Sequence, residues 1–180
     1  MSDLIEKEKS SSVIYDGKIL HVYKDVVTLP NGEEACRELI RHVGAVAIVA
    51  LTDDGRVILE RQFRYPLGRV ITEIPAGKLD SKSEDRLEGA KREFLEETGY
   101  TADEWISLGD YYPAAAYTDE RITIYLAKGL HGGEQQLDED EFLDIFALPL
   151  DEAAKQCADG TITDGKTVAG ILRAKYLLEK

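Results

Sequence analysis

Cysteine is scarce in this chain: Cys36 and Cys157 are the only two, and they have no metal-site spacing. They could form one bridge at most, so the sequence predicts reduced thiols, as in a cytoplasmic protein. Long apolar runs are missing as well. The longest, Val43–Leu51, falls far short of the ~20 residues that span a bilayer, and it reads as a core strand with no membrane partner expected. The opening Met1–Lys7 has no apolar core and no cleavage site, so no secretory signal is expected. Positive charge is also in deficit, with 22 Lys and Arg against 35 Asp and Glu and a formal net charge of −13. That balance argues against a duplex nucleic acid partner, which needs a basic surface. It does not exclude a phosphate ester, because bound Mg²⁺ inverts the local field and a few arginines can be focused on one site.

What is present suits one domain of 180 residues with a small appended subdomain. The first dozen residues are polar and are expected to fray, apart from Leu4 and Ile5. Leu20–Leu29 and Ala35–Arg41 read as strands joined at Pro30-Asn31-Gly32, a strong turn signal. Residues 1–42 are therefore expected to form an N-terminal β-lobe, ahead of a main domain over residues 43–180. Further strands are expected at Arg56–Phe63, Val70–Ile74, Trp105–Tyr111, Arg121–Ala127 and Phe142–Leu148. Helices are expected over residues 84–97, Leu150–Ala158 and Thr167–Leu178, the last with Val168, Ile171, Leu172 and Leu178 inward. Strands outnumber helices and several adjoin through hairpins, which predicts a mixed sheet covered by helices: an α+β fold.

The helix over residues 84–97 is the clearest. Leu87, Ala90 and Phe94 recur at helical spacing, Gly99 stands where a C-terminal cap belongs, and Ser81 or Ser83 could cap the start. Glu93 and Glu97 leave one face of it with Glu96 beside them. Acids stacked in this way destabilise a helix unless a cation sits between them, and hard oxygen ligands on a rigid element suit Mg²⁺. Taken alone, the helix reads more simply as a solvated acidic face. The strand end Ile74-Pro75-Ala76-Gly77 just upstream changes this, because a strand–loop–helix unit brings a backbone carbonyl near the helix carboxylates.

With that context, Gly77, Glu84, Arg92-Glu93-Phe94, Glu96-Glu97 and Gly99-Tyr100 closely resemble the signature box of the Nudix hydrolases. One departure is visible. Six residues separate Gly77 from Glu84, where the family has five, and the extra residue falls in a loop that tolerates insertion. The resemblance covers most of the chain. Arg37-Glu38, His42–Val46, Gln62-Phe63-Arg64, Glu73–Gly77 and Asp138–Phe142 look like the ADP-ribose pyrophosphatase branch. A second departure is Ala114-Ala115-Ala116, where that branch usually carries Ser-Pro-Gly.

The resemblance implies an α/β/α sandwich around a mixed sheet, a homodimer exchanging N-terminal strands, and Mg²⁺ as cofactor, with Mn²⁺ as the alternative. It implies hydrolysis of the diphosphate bond of ADP-ribose or a related nucleotide sugar, giving AMP and a sugar phosphate; a GDP-sugar or dinucleotide is the alternative substrate. Glu93, Glu97 and the Ala76 carbonyl would hold metal, supported by Glu96, while Arg92 would orient the carboxylates. Glu84 would either serve the helix dipole or take part in catalysis. Glu141 is the candidate for positioning the attacking water, with Glu139 as fallback. Arg37 and Arg64 are candidates for the substrate's phosphate and nucleoside parts. Glu73 could meet metal, the terminal ribose, or neither as an edge-strand charge. His42 reads as a packed structural residue. Tyr111, Tyr112 and Tyr117 read as core or interface tyrosines that could also stack on adenine.

Overall fold

The computed structural model describes residues 4–137 and 142–180. In chain order the elements are β1 (Lys7–Asp16), β2 (His21–Thr28), β3 (Glu34–Arg41), β4 (Ala45–Ala50), β5 (Arg56–Arg64), β6 (Arg69–Glu73), β7 (Ala76–Lys78), α1 (Arg86–Thr98), β8 (Tyr100–Tyr111), β9 (Ile122–Gly132), β10 (Leu143–Pro149), α2 (Leu150–Asp159) and α3 (Gly165–Leu178). A 3-10 turn, Tyr65–Leu67, joins β5 to β6.

Strand β4 organises the core. All six of its residues are buried, because helices cover both faces of its sheet, whose order is β7-β4-β9-β8. Side chains alternate along the strand. Ala45, Ala47 and Val49 point toward Ile171 and Ala174 of α3, and Val46, Ile48 and Ala50 toward Ala90 and Phe94 of α1. The β4–β9 pair is parallel, and the pairs β4–β7 and β8–β9 are antiparallel, so the sheet is mixed. A second sheet, β10-β5-β6, is antiparallel. This is the α+β architecture with a mixed sheet that the sequence predicts.

Four local differences have physical causes. From Lys7 onward the polar opening is not frayed: β1 pairs with β2 from Lys7↔Thr28 to Asp16↔His21, and β2 pairs with β3 in a separate three-stranded sheet. Its ten side chains are all exposed, so polarity there reports exposure rather than lack of pairing. Strands β8 and β9 run well past their expected ends, since their pairing continues to Tyr100↔Gly132. Helix α1 starts at Arg86, capped by Asp85, whose carboxylate accepts from the Leu87 and Glu88 N–H groups at 3.0 and 3.1 Å. Neither Ser81 nor Ser83 caps it. Finally, α3 buries Thr167, Gly170, Ile171 and Ala174, while Leu172 and Leu178 are exposed. Small residues set this contact: a Cβ on Gly170 would meet Ile74 and Val49 at 3.0 Å, so the helix lies close against the sheet.

Candidate active site

The acidic helix is tied to the strand before it. The Ala76 N–H donates to Glu97 Oε2 at 2.9 Å, and the Ile48 N–H donates to the Pro75 carbonyl at 2.8 Å. Strand β7 is thus pinned between β4 and α1. Gly77 is required by close approach, because a Cβ there would fall on the Glu93 carboxylate. At the far end of α1, Gly99 adopts φ 73°, and its N–H donates to the Leu95 carbonyl at 2.8 Å.

Arg92 is the hub of the cluster. Its Nη1 donates to Glu93 Oε1 at 2.8 Å and to Glu96 Oε2 at 3.2 Å, and its Nη2 donates to Glu84 Oε1 at 3.2 Å. Burial works against the guanidinium charge, but the bonds to Glu93 and Glu84 outweigh it and push the pKa up. Glu84 lies just outside the helix, where its Oε2 accepts from the Asp80 N–H at 2.6 Å. It therefore acts as an anchor for Arg92 and for the preceding loop. Glu93, Glu96 and Glu97 line one cavity of about 470 Å³ with Ala76, Gly77 and Arg92.

A second cavity of about 470 Å³ opens on the other side of β7 and shares Ala76, Gly77 and Lys78 with the first. Its polar end is a charge cluster built on the buried Glu73 and Lys166. Glu73 is 1% exposed and accepts from Arg64 in a bidentate pair at 2.6 and 2.9 Å. Lys166 also donates to Glu73, and to Asp164 at 3.1 Å. Burial raises the Glu73 pKa, but Arg64 and Lys166 offset this and hold it below the ordinary carboxylate value. Asp164 caps α3 through the Thr167 N–H at 2.9 Å, and the Thr167 hydroxyl oxygen accepts from the Ile74 N–H at 2.9 Å. The start of α3 is thereby fastened to the strand that leads into β7.

The predicted site residues fall into three groups. Ala76, Arg92, Glu93, Glu96 and Glu97 meet at the carboxylate cavity, and Arg64 and Glu73 meet at the adjoining one. Arg37 joins neither: it lies on β3, paired to Glu6, with its Nε donating at 2.9 Å. Glu141 and Glu139 lie outside the described residues. His42 lines the second cavity, and its Nδ1 accepts from the Gly44 N–H at 3.0 Å. Tyr111 lines that cavity too, while Tyr112 and Tyr117 are exposed. The Ala114–Ala116 segment forms a turn in which the Tyr117 N–H donates to the Ala114 carbonyl at 3.0 Å, and the Ile40 N–H ties it to β3 through the Tyr117 carbonyl at 2.8 Å. Lys166, Asp164 and Lys78 were missed. Lys166 and Glu73 stand 93 residues apart, and no local spacing links them.

The donor set suits a hard divalent cation. Among the described residues no three acidic, histidine or cysteine side chains already converge as a finished ligand cluster. Mg²⁺, however, needs only one or two carboxylates, because it keeps several waters and shares substrate phosphates. Glu97 is only 6% exposed, and Glu93 sits where Gly77 leaves room for it. Both are carboxylates on a rigid helix at the edge of one cavity, so the residues present fit the ion.

A NUDIX domain pattern matches residues 41–170, and the chain belongs to the Nudix family. It is 41% identical over 173 residues to an ADP-ribose pyrophosphatase of Bacillus subtilis (strain 168), covering 95% of this chain and 93% of that protein. It is 42% identical over 168 residues to a methanol dehydrogenase activator of Bacillus methanolicus, covering 92% and 90%. A crystal structure of an ADP compounds hydrolase superposes with a TM-score of 0.85 over 99% of this chain and 97% of that one, at 20% identity, which is a likeness of fold.

Proposed function

We propose that the chain hydrolyses the diphosphate bond of ADP-ribose or a closely related nucleotide sugar, with Mg²⁺ as cofactor. The observation that carries this reading is the pair of cavities sharing β7, carboxylates in one and a cation–carboxylate cluster in the other. Its likeness to an ADP-ribose pyrophosphatase across nearly the whole length supports the choice of substrate. In the reaction one water is consumed, a bridging P–O bond breaks, and each product keeps one phosphate.

Glu93 and Glu97, with the Ala76 carbonyl, hold the ion in this reading, and Glu96 supports them. When bound, the cation supplies Lewis-acid chemistry at the diphosphate oxygens and makes water a better nucleophile. Arg92 fixes Glu93 and Glu96 in place. Glu141, with Glu139 as fallback, is the candidate for positioning the water. Arg64, aimed by Glu73, offers donors to the substrate. Arg37, on the N-terminal lobe, lines neither cavity of its own chain, and in this reading it meets substrate from a neighbouring copy. That fits a homodimer built through residues 1–42, whose exposed Val13, Ile14 and Tyr15 give it apolar surface to cover. Sedimentation of the whole chain tests the dimer: a single monomeric species at micromolar concentration would remove it. A cytoplasmic location accords with two free thiols.

The 42% identity to a protein named as a dehydrogenase activator favours a second reading, in which the same site serves a partner enzyme. A panel of ADP-ribose, GDP-mannose and dinucleotides compared by kcat/KM tests the first reading. Assaying methanol dehydrogenase with and without the chain tests the second. Preference for ADP-ribose with no effect on the dehydrogenase selects the first.

A further inference from the structure

The acidic total makes cations near the two cavities scarce, and most of those present are already committed. Arg92 is bound to Glu84, Glu93 and Glu96, Arg64 to Glu73, and Lys166 to Glu73 and Asp164. Two ammonium groups differ. Lys78, on β7, lines both cavities, and Lys18 lines the carboxylate cavity. Both are exposed, and neither makes an ion pair among the described residues. Lys18 belongs to the turn between β1 and β2. That turn is held by the Gly17 N–H donating to the Leu20 carbonyl at 2.9 Å and by the contact between His21 Nδ1 and Asp16 Oδ1 at 2.5 Å. A defined turn of the N-terminal lobe thus carries a lysine to the edge of the site.

We propose that Lys78 and Lys18 form a two-lysine clamp for the substrate's diphosphate. This rests on the diphosphatase reading and deepens it. A nucleotide sugar brings two negative charges to a cavity that already holds Glu93, Glu96 and Glu97. A bound cation answers the carboxylates; the two uncommitted ammonium groups answer the diphosphate. Lys78 lines both cavities and Lys18 lines the carboxylate cavity, so both are placed to meet the diphosphate. Both diphosphate charges are already present in the substrate, so the clamp acts on substrate and transition state alike and lowers KM more than it raises kcat.

The test compares Lys18→Ala, Lys78→Ala, their Arg counterparts and Lys155→Ala, an exposed charge on α2 that lines neither cavity. Calorimetric affinity for an α,β-methylene analogue of ADP-ribose is read with Mg²⁺ present, alongside kcat and KM for ADP-ribose. Each Ala variant should weaken analogue binding and raise KM about tenfold, the scale of one hydrogen bond to a charged group. Turnover should stay within about twofold. Arginine should restore most of the loss, melting temperatures should not move, and Lys155→Ala should match wild type. Unchanged analogue affinity in both Ala variants overturns the clamp, as does an equal loss in Lys155→Ala. Failure of the wild type to bind the analogue or cleave ADP-ribose overturns the diphosphatase reading instead. Binding without cleavage, lost in the Ala variants, keeps the clamp and removes the chemistry.

Discussion

At the scale of single residues, Glu97 is the most exacting position. Its carboxylate must accept the Ala76 N–H at 2.9 Å and still face the cavity. Glu97→Gln keeps the acceptor and removes the charge, so the fold should survive while kcat falls on the order of a hundredfold or more. Circular dichroism beside a turnover assay checks both halves, and near-normal kcat would exclude Glu97 as a metal ligand. The two thiols separate by environment. Burial, with Asp159 and Asp164 nearby, pushes the Cys157 thiol up to about 11, whereas Cys36 is exposed. Native protein should therefore react with one equivalent of a maleimide, and with two only after unfolding. The carboxylates Glu93, Glu96 and Glu97 were legible because helical spacing puts them on one face. The partners of Glu73 were not, because Arg64 meets it only once the β5–β6 hairpin has formed and Lys166 only once α3 has packed.

At the scale of elements, α1 is the platform, and its ends are set by Asp85 and Gly99. Asp85→Ala leaves the Leu87 and Glu88 N–H groups without their acceptor and should cost ~1 kcal/mol, read as a lower urea midpoint with unchanged slope. No shift in that midpoint would mean that the loop, not the cap, fixes the helix start. The apolar spacing and Gly99 made α1 readable in sequence, and the unbroken apolar run made β4 readable. Helix α3 was readable in extent and, through Val168 and Ile171, in part of its orientation; Leu172 and Leu178 were misplaced. Its leucines drew attention to a face that stays exposed, while the contact runs through Gly170 and Ala174, residues too small to register as an apolar stripe. Strand β1 was hidden for the opposite reason. It buries no side chain, and its place in the sheet is set by backbone pairing with a few exposed side-chain contacts, such as the Ser12 hydroxyl donating to the Lys24 carbonyl.

At the scale of the whole molecule, an acidic chain places a few of its cations, Arg64, Lys78, Arg92 and Lys166 among them, around two cavities that share one strand. The Glu73–Arg64–Lys166–Asp164 cluster, buried at Glu73 and Lys166, ties β6 to the start of α3, and it carries a pH dependence. Glu73 has a folded pKa below its unfolded value, near ~4.3 for a free glutamate. Its stabilisation is therefore fully present above that value and is lost as pH falls through the lower folded one. Melting temperatures measured from pH 6 downward should fall more steeply in wild type than in Glu73→Gln, which has no such charge to lose. Parallel curves would show that the cluster contributes nothing to acid stability. The measurement that bears most directly on the whole account is product analysis after incubating the pure chain with ADP-ribose, with and without Mg²⁺. Equal amounts of AMP and ribose 5-phosphate, formed only with the metal, are the expected result; no AMP in its presence would contradict the proposed function.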